Sequence, residues 1–177
     1  PPGFVVLAGD AFAEADSGLV RRLRNRDLLP LRSTDDVFHR LLKLVGYHTG
    51  NGSFDRGRTV FCGDPDDLET IRRDVAAIGL TPPRICERER HYDSEDTGTR
   101  PEQEARSDSV ALKRLLTRLG APDGGETDSP ITHPEYLVRL ADWPQALYLS
   151  AFVVAEMNAP DTPRSTAGFP HTTTTEP

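Results

Sequence analysis

Two glycines four residues apart, inside an otherwise apolar helical repeat, constrain this chain more than any other feature. In LLKLVGYHTGNGSF (41–54), Leu41, Leu44, Val45 and His48 recur at the spacing of one helix face. Gly46 and Gly50 interrupt that pattern, and each interior glycine costs a helix about 1 kcal/mol relative to alanine. A second stretch, LSAFVVAEM (149–157), places Ala151 and Ala155 at the same separation. Small residues four apart form a flat stripe along which two helix backbones can approach closely, so the segments are expected to pack on each other, contact offsetting the cost of glycine. In each, a polar residue directly follows the second small one: Asn51 after Gly50, Glu156 after Ala155. A pseudo-two-fold pairing of the stripes brings Asn51 and Glu156 out side by side at the bottom of the helix pair. Asn51-Gly52 then serves as a C-cap that turns the chain into a strand. The competing reading of the same spacing is two ordinary core helices whose small residues serve packing alone.

Around these helices the chain reads as a mixture of helix and strand. GFVVLAG is β-prone, and GLVRRLRNRDLLPL reads as a basic amphipathic helix that Pro30 closes. The glycine helix is expected from about Asp35, with Ser33 or Thr34 as N-cap. SFDRGRTVFC reads as two strands around Asp55-Arg56-Gly57. DPDDLETIRRDVAAIG is the clearest helix, with Asp64 at the N-cap, Pro65 at N1, acids in the first turn and Gly79 at the end. PPRICERERHY alternates as a strand, 93–107 reads as an exposed acidic loop, and SVALKRLLTRLG is a helix closed by Gly120. After a loop from Ala121 to Thr132, Pro144 is expected to begin the last helix, and the Thr-rich end has too little apolar content to pack alone.

Composition narrows the class. At 177 residues the chain can bury one core or two small halves, and 36% hydrophobic residues with 15 Pro and 14 Gly leave part of the length to loops. With no apolar run near the roughly 20 residues that cross a bilayer and no leader pattern, a soluble cytoplasmic protein with no membrane partner is expected. The first residue is Pro1, which suggests a processed, internal or truncated piece. Net charge is −7, and the basic residues are nearly all Arg, with Lys only at 43 and 113. Such chemistry suits a high-salt cytoplasm, as in a halophilic archaeon, and makes nucleic-acid binding depend on local Arg clusters. Cys62 and Cys86 lack the spacing of a zinc site or disulfide framework and read as buried free thiols.

LVGYHTGNG (44–52) and LSAFVVAEM (149–157) resemble the two motifs of a single-chain LAGLIDADG homing endonuclease. Leu44, Gly46, Gly50, Asn51 and Gly52 fall on the motif's leucine, two small residues, metal-binding acid and final glycine; Leu149, Ala151, Ala155 and Glu156 take the corresponding places of the second copy. RNRDLLPLRSTDDVFHRLLKLVGYHTGNGSF, LGAPDGG and FVVAEMNAP are similar to the endonucleases of archaeal inteins, especially those in tRNA-splicing RNA ligases. The resemblance implies an α+β fold in which αββαββα units pair through two motif helices, their sheets lying over double-stranded DNA, with Mg²⁺ held by the motif acids. It divides the chain into an intein-derived linker segment (1–32), a first repeat (33–120), the start of a second, incomplete repeat (121–160) and a disordered or truncated tail (161–177). The host protein of the intein would be a further partner.

The sequence departs from that pattern at Asn51, whose neutral amide offers a cation no charge, while Glu156 keeps a carboxylate. Mg²⁺ binding is therefore expected to be weak or lost, and metal-dependent endodeoxyribonuclease activity impaired. Alternation puts Arg84, Arg88 and Arg90 with Tyr92 on one strand face, and Arg56 and Arg58 flank the preceding turn; these are the candidate DNA contacts, unless that face is simply solvated. His48 reads as a packing or solvent histidine rather than a base. Pro1 and Pro177 supply neither the nucleophile nor the Asn of splice junctions, so no splicing by this polypeptide alone is expected. Two other classes compete: a catalytically inactive DNA-binding relic within an intein-containing RNA ligase, and an acidic α+β interaction domain. The acidic, Lys-poor composition also predicts that thermal unfolding shifts upward in molar salt relative to dilute buffer; an unchanged or lower midpoint would rule out the high-salt reading.

Overall fold

A computed structural model describes residues 3–89, 101–123 and 133–157, without the side chains of 88, 89, 101 and 102. The chain enters through strand β1 (Val5–Leu7), passes two short 3-10 turns and forms helix α1 (Ser17–Arg24). Strand β2 (Leu31–Arg32) then returns antiparallel to β1. Helix α2 (Asp36–Asn51) carries the glycine pair, and the hairpin β3 (Gly52–Asp55) and β4 (Arg58–Cys62) follows it without a loop. Next come α3 (Pro65–Ala77), β5 (Arg84–Glu89), β6 (Pro101–Ser107) and α4 (Val110–Arg118). A 3-10 turn, Glu135–Arg139, leads to α5 (Asp142–Met157).

From α2 to α4 the order is helix, strand, strand, helix, strand, strand, helix. The strands form one antiparallel sheet in the order β3-β4-β6-β5. Side chains alternate between sheet faces, and the register places Phe61 opposite Ala105 and Thr59 opposite Ser107, all four buried. That inner face takes the helices, α2 and α4 against β4 and α3 against β6. The opposite face presents Arg58 and Cys62 from β4, Glu104 and Arg106 from β6, and Arg84 and Cys86 from β5.

α2 is buried on nearly every side: Phe38, Leu41, Leu42, Leu44 and Val45 have no exposed surface. Fully burying side chains of this size contributes about 1.5–3 kcal/mol each. The same apolar cluster includes Leu7, Leu19, Leu23, Leu28 and Leu31, so the segment before α2 packs into the core. α3 is tied to α2 by a buried carboxylate: Asp74 accepts from Arg40 at 2.8 Å and Lys43 at 2.9 Å.

The seam between α2 and α5 is formed by the small residues. A Cβ on Gly46 would lie 2.6 Å from the Tyr148 carbonyl oxygen and 3.0 Å from Ala151 Cβ. On Gly50 it would lie 2.6 Å from the Phe152 carbonyl oxygen and 2.7 Å from Ala155 Cβ. Backbone thus meets backbone, and any side chain at these two positions would force the helices apart.

Several local expectations need correction. The N-cap position of α2 is Asp35, whose carboxylate accepts from the Arg32 N–H at 2.7 Å, while the Ser33 hydroxyl accepts from Phe4 N–H at 3.0 Å and is committed to β1. Residues 101–107 are strand β6, not loop; its inward side chain beside Phe61 is only an alanine, too weak an apolar signal to mark a strand. α1 ends at Arg24, well before Pro30, in a turn where Asp27 has φ 55°. α5 begins at Asp142, with Pro144 in its first turn, where a missing N–H costs nothing. Gly52 leaves α2 in extended conformation (φ −115°), so its glycine is required by space: a Cβ would sit 2.6 Å from His48 Cα. The expected hairpin turn has positive φ at both Arg56 (45°) and Gly57 (86°), matching the right-handed strand twist. Arg90, Tyr92, 93–100, 124–132 and 161–177, for which the sequence raises expectations, lie outside the described residues.

The seam yields a test opposed to helix propensity. Gly18, in α1, faces open space, so Gly18→Ala should gain up to about 1 kcal/mol. Gly50→Ala should instead lose about 2 kcal/mol or more, because the added methyl meets backbone that cannot swing away. Urea denaturation midpoints measure both; a Gly50→Ala protein as stable as wild type would contradict the close seam.

Candidate functional site

The helix pair delivers two polar residues to one end. Asn51 is the last residue of α2 and is partly exposed; Glu156, next to last in α5, is exposed. A Cβ on Gly50 would lie 3.2 Å from the Glu156 backbone nitrogen, so the seam continues to the residues just before the polar pair. The donors this end offers are one carboxylate and one carboxamide, a single negative charge. Hard divalent cations favour clusters of anionic oxygen, and among the described residues no group of three or more His, Cys, Asp or Glu is placed to share an ion. The donor set does not fit the two-carboxylate centre that the resemblance implies.

The open sheet face carries the arginines. Arg84 and Arg106 are direct cross-strand neighbours, and Val60 and Ser53 continue their row onto β4 and β3. Arg106 donates to Glu104 on its own strand through Nε and Nη2; the Glu104 carboxylate is 2% exposed. Arg58 and Arg84 both reach Asp108, at 2.7 and 3.0 Å. Arg56 lies within the turn, with its side chain 91% exposed and Asp55 at 4.0 Å. Arg88 is opposite Glu102 by backbone register, and its side chain is not among those described. Cys62 and Cys86 form no disulfide and are only partly buried, a correction to the buried-thiol reading; they flank Glu104 from either side, since alternation puts both on the open face. With β6 between them, the strands carrying them are about 9.5 Å apart, beyond disulfide reach.

Arg106, Glu104 and Asp108 are not among the residues the sequence singles out, because Glu104 and Arg106 lie in the stretch that reads as loop and Asp108 falls between it and the helix that follows. The available signal was the alternation Glu102, Glu104, Arg106 against Gln103, Ala105, Ser107. Charged residues on one side and uncharged ones on the other match a strand laid against β4 and β5.

No family model matches the chain. It is 28% identical over 160 residues to the tRNA-splicing ligase RtcB of Methanopyrus kandleri, covering 85% of this chain and 16% of that protein. The RtcB of Methanocaldococcus jannaschii is 30% identical over 149 residues, 77% of this chain and 15% of the relative. A third similarity, 27% over 154 residues, is to the DNA-directed RNA polymerase subunit Rpo1N of the same organism, covering 80% of this chain and 11% of the subunit. The chain thus spans between 11% and 16% of the length of these curated relatives. Among the described residues, no helix is long and apolar enough to cross a membrane.

His48 precedes Asn51 by about one helical turn and is fully buried, as a packing histidine would be. Its ring stacks on Phe54 (centroids 4.2 Å) and meets Phe61 edge-on (5.8 Å), and among the described residues neither nitrogen has a side-chain hydrogen-bond partner. Burial pushes its pKa down to about 4; the nearby Ser53 backbone and the Asp123 carboxylate offset this only in part. The folded value lies below the unfolded value of about 6.5, so the stability carried by neutral His48 is complete above that pH and lost as pH falls toward 4. The shift corresponds to about 3 kcal/mol. Chemical denaturation across that pH range should show wild type losing more stability than His48→Leu; parallel losses would contradict the assignment.

Proposed function

We propose that this chain is a segment of a LAGLIDADG-type insert carried within a tRNA-splicing RNA ligase, binding double-stranded DNA through its open sheet face with cleavage diminished by Asn51. The observation that carries this reading is the seam, in which Gly46, Gly50, Ala151 and Ala155 let α2 and α5 meet backbone to backbone and bring Asn51 and Glu156 to one end. The element order from α2 to α4 supports it as the first repeat within 33–120, with α5 opening a second within 121–160. α5 is apolar on its outer side as well, with Leu149, Val153 and Met157 exposed. In the register set by the seam, Leu149 and Val153 correspond to Leu44 and His48, which are buried beside the sheet. A second sheet would cover them in the complete insert. The relatives favour an insert too: similar segments form small fractions of proteins named for different activities, an RNA ligase and an RNA polymerase subunit.

Within this reading, Arg58, Arg84 and Arg106 contact phosphates and base edges, and the helix pair fixes the height of the sheet relative to Asn51 and Glu156. Glu156 and Asn51 are the residues that would hold a divalent ion, which would supply activation of water and stabilisation of the leaving oxygen. The chain's own contribution at that point is a single carboxylate. Asn51 specifically favours a second reading, a DNA-binding relic without cleavage.

Plasmid nicking in Mg²⁺, run beside duplex binding, separates these. Wild type should bind duplex DNA, lose affinity on Arg84→Ala with Arg106→Ala, and nick slowly or not at all. Asn51→Asp should raise nicking on the order of tenfold or more by adding a charged oxygen ligand. Efficient nicking by wild type, unchanged in Asn51→Asp, would sink the attenuated-site reading; absence of duplex binding would sink the nucleic-acid reading altogether. An Asn51→Asp protein that binds but never nicks would favour the relic.

A further inference from the structure

The arginines of the open face whose side chains are described, Arg58, Arg84 and Arg106, are each held by a carboxylate, but not in the same way. Arg106 is held within its own strand by buried Glu104. Arg58 and Arg84 come from the two strands that flank β6 and converge on Asp108, the first residue beyond it. Arg58 Nε donates to Oδ1 at 2.7 Å, and Arg84 Nη2 donates to Oδ2 at 3.0 Å. All three side chains are at least 49% exposed, and ion pairs this open to water contribute little net stability. The fold does not depend on the carboxylate; the two guanidinium groups orient it.

Two guanidinium groups, each donating to one oxygen of a shared anion, also match the two non-bridging oxygens of a phosphodiester. A cavity of about 300 Å³ adjoins the fork, lined among others by Arg84, Arg106, Asp108, Thr81 and Ser109. The Ser109 hydroxyl oxygen accepts from Leu112 N–H, so its own proton remains available to donate.

We propose that the Arg58–Arg84 fork is a binding site for one backbone phosphodiester of double-stranded DNA, which Asp108 fills with its own carboxylate in the free protein. This rests on the nucleic-acid reading above. Phosphate entry displaces Asp108 into solvent, exchanging one pair of charge-assisted hydrogen bonds for another. A phosphate gains the fork only by displacing the resident carboxylate, so Asp108 lowers the affinity for backbone that enters it.

The test is fluorescence-anisotropy titration of a short mixed-sequence duplex over a range of salt concentrations. Asp108→Asn should bind about threefold to tenfold more tightly than wild type at low salt. Its plot of log Kd against log salt should steepen by about one unit as one more phosphate contact forms without competition. With Arg58→Ala and Arg84→Ala also present, Asp108→Asn should give no gain. Wild-type binding that Asp108→Asn leaves unchanged, or a gain that survives loss of both arginines, overturns this site alone. If neither wild type nor Asp108→Asn binds duplex, both readings fail together. Calorimetry with inorganic phosphate at matched ionic strength provides the last arm: arginine-dependent phosphate binding without duplex binding would mark a free-anion site and overturn the assignment to DNA.

Discussion

Everything in this molecule is positioned from one contact, the meeting of α2 and α5 along side chains too small to hold them apart. At Gly46 and Gly50 the opposing surface is backbone carbonyl and alanine Cβ, so the helices are as close as their main chains allow. Two interior glycines weaken α2 as an isolated helix by about 2 kcal/mol in sum, and burial of its leucines and Phe38 restores the balance. Because α2 runs directly into β3, the height of the sheet relative to the helix ends is set by this seam. The buried Asp74, gripped by Arg40 and Lys43, then locks α3 to the same helix. Helix pair and sheet are therefore joined through α2.

On that frame two regions of different chemistry are kept apart. The end of the helix pair is poor in charge, with Asn51 closing α2, Glu156 near the end of α5 and His48 buried about one turn before Asn51. The outer sheet face is rich in charge but internally compensated, since every arginine whose side chain is described there is matched by an acid. An acidic protein of net charge −7 can in this way expose arginines without being a strong non-specific polyanion binder. What such a face offers a duplex, under the reading proposed above, is geometry more than bulk attraction.

Much of this architecture was legible in the sequence where local chemistry and global packing agree. Asp64, Pro65 and Gly79 bracket α3 as expected, and Asp55-Arg56-Gly57 marks the hairpin. The stripes at Gly46, Gly50, Ala151 and Ala155 announced the seam itself. Legibility failed where burial is polar. β6 hides between its neighbours with Ala105 as its inward apolar residue, while Glu104, Ser107 and Thr59 are buried polar residues that any hydropathy pattern assigns to water. Asp74 is a similar case: it shares the inward face of α3 with Leu68, Ile71 and Val75, and only its partners on α2 explain a carboxylate there. The acids that hold the arginines were lost with β6, because recognising them required a strand pairing between segments distant in sequence.

The junction at Gly52 has one further consequence. As the first residue of β3 it lies against His48, where a Cβ would fall 2.8 Å from the ring carbons Cγ and Cδ2, and that ring is itself packed on Phe54 and Phe61. The heading of the hairpin is thus dictated by an aromatic surface rather than by a hydrogen-bonded cap alone. Substitutions farther out, from Ser53 to Arg58, can vary what the hairpin tip displays without altering where it points, whereas a single added carbon at position 52 would steer the entire ribbon.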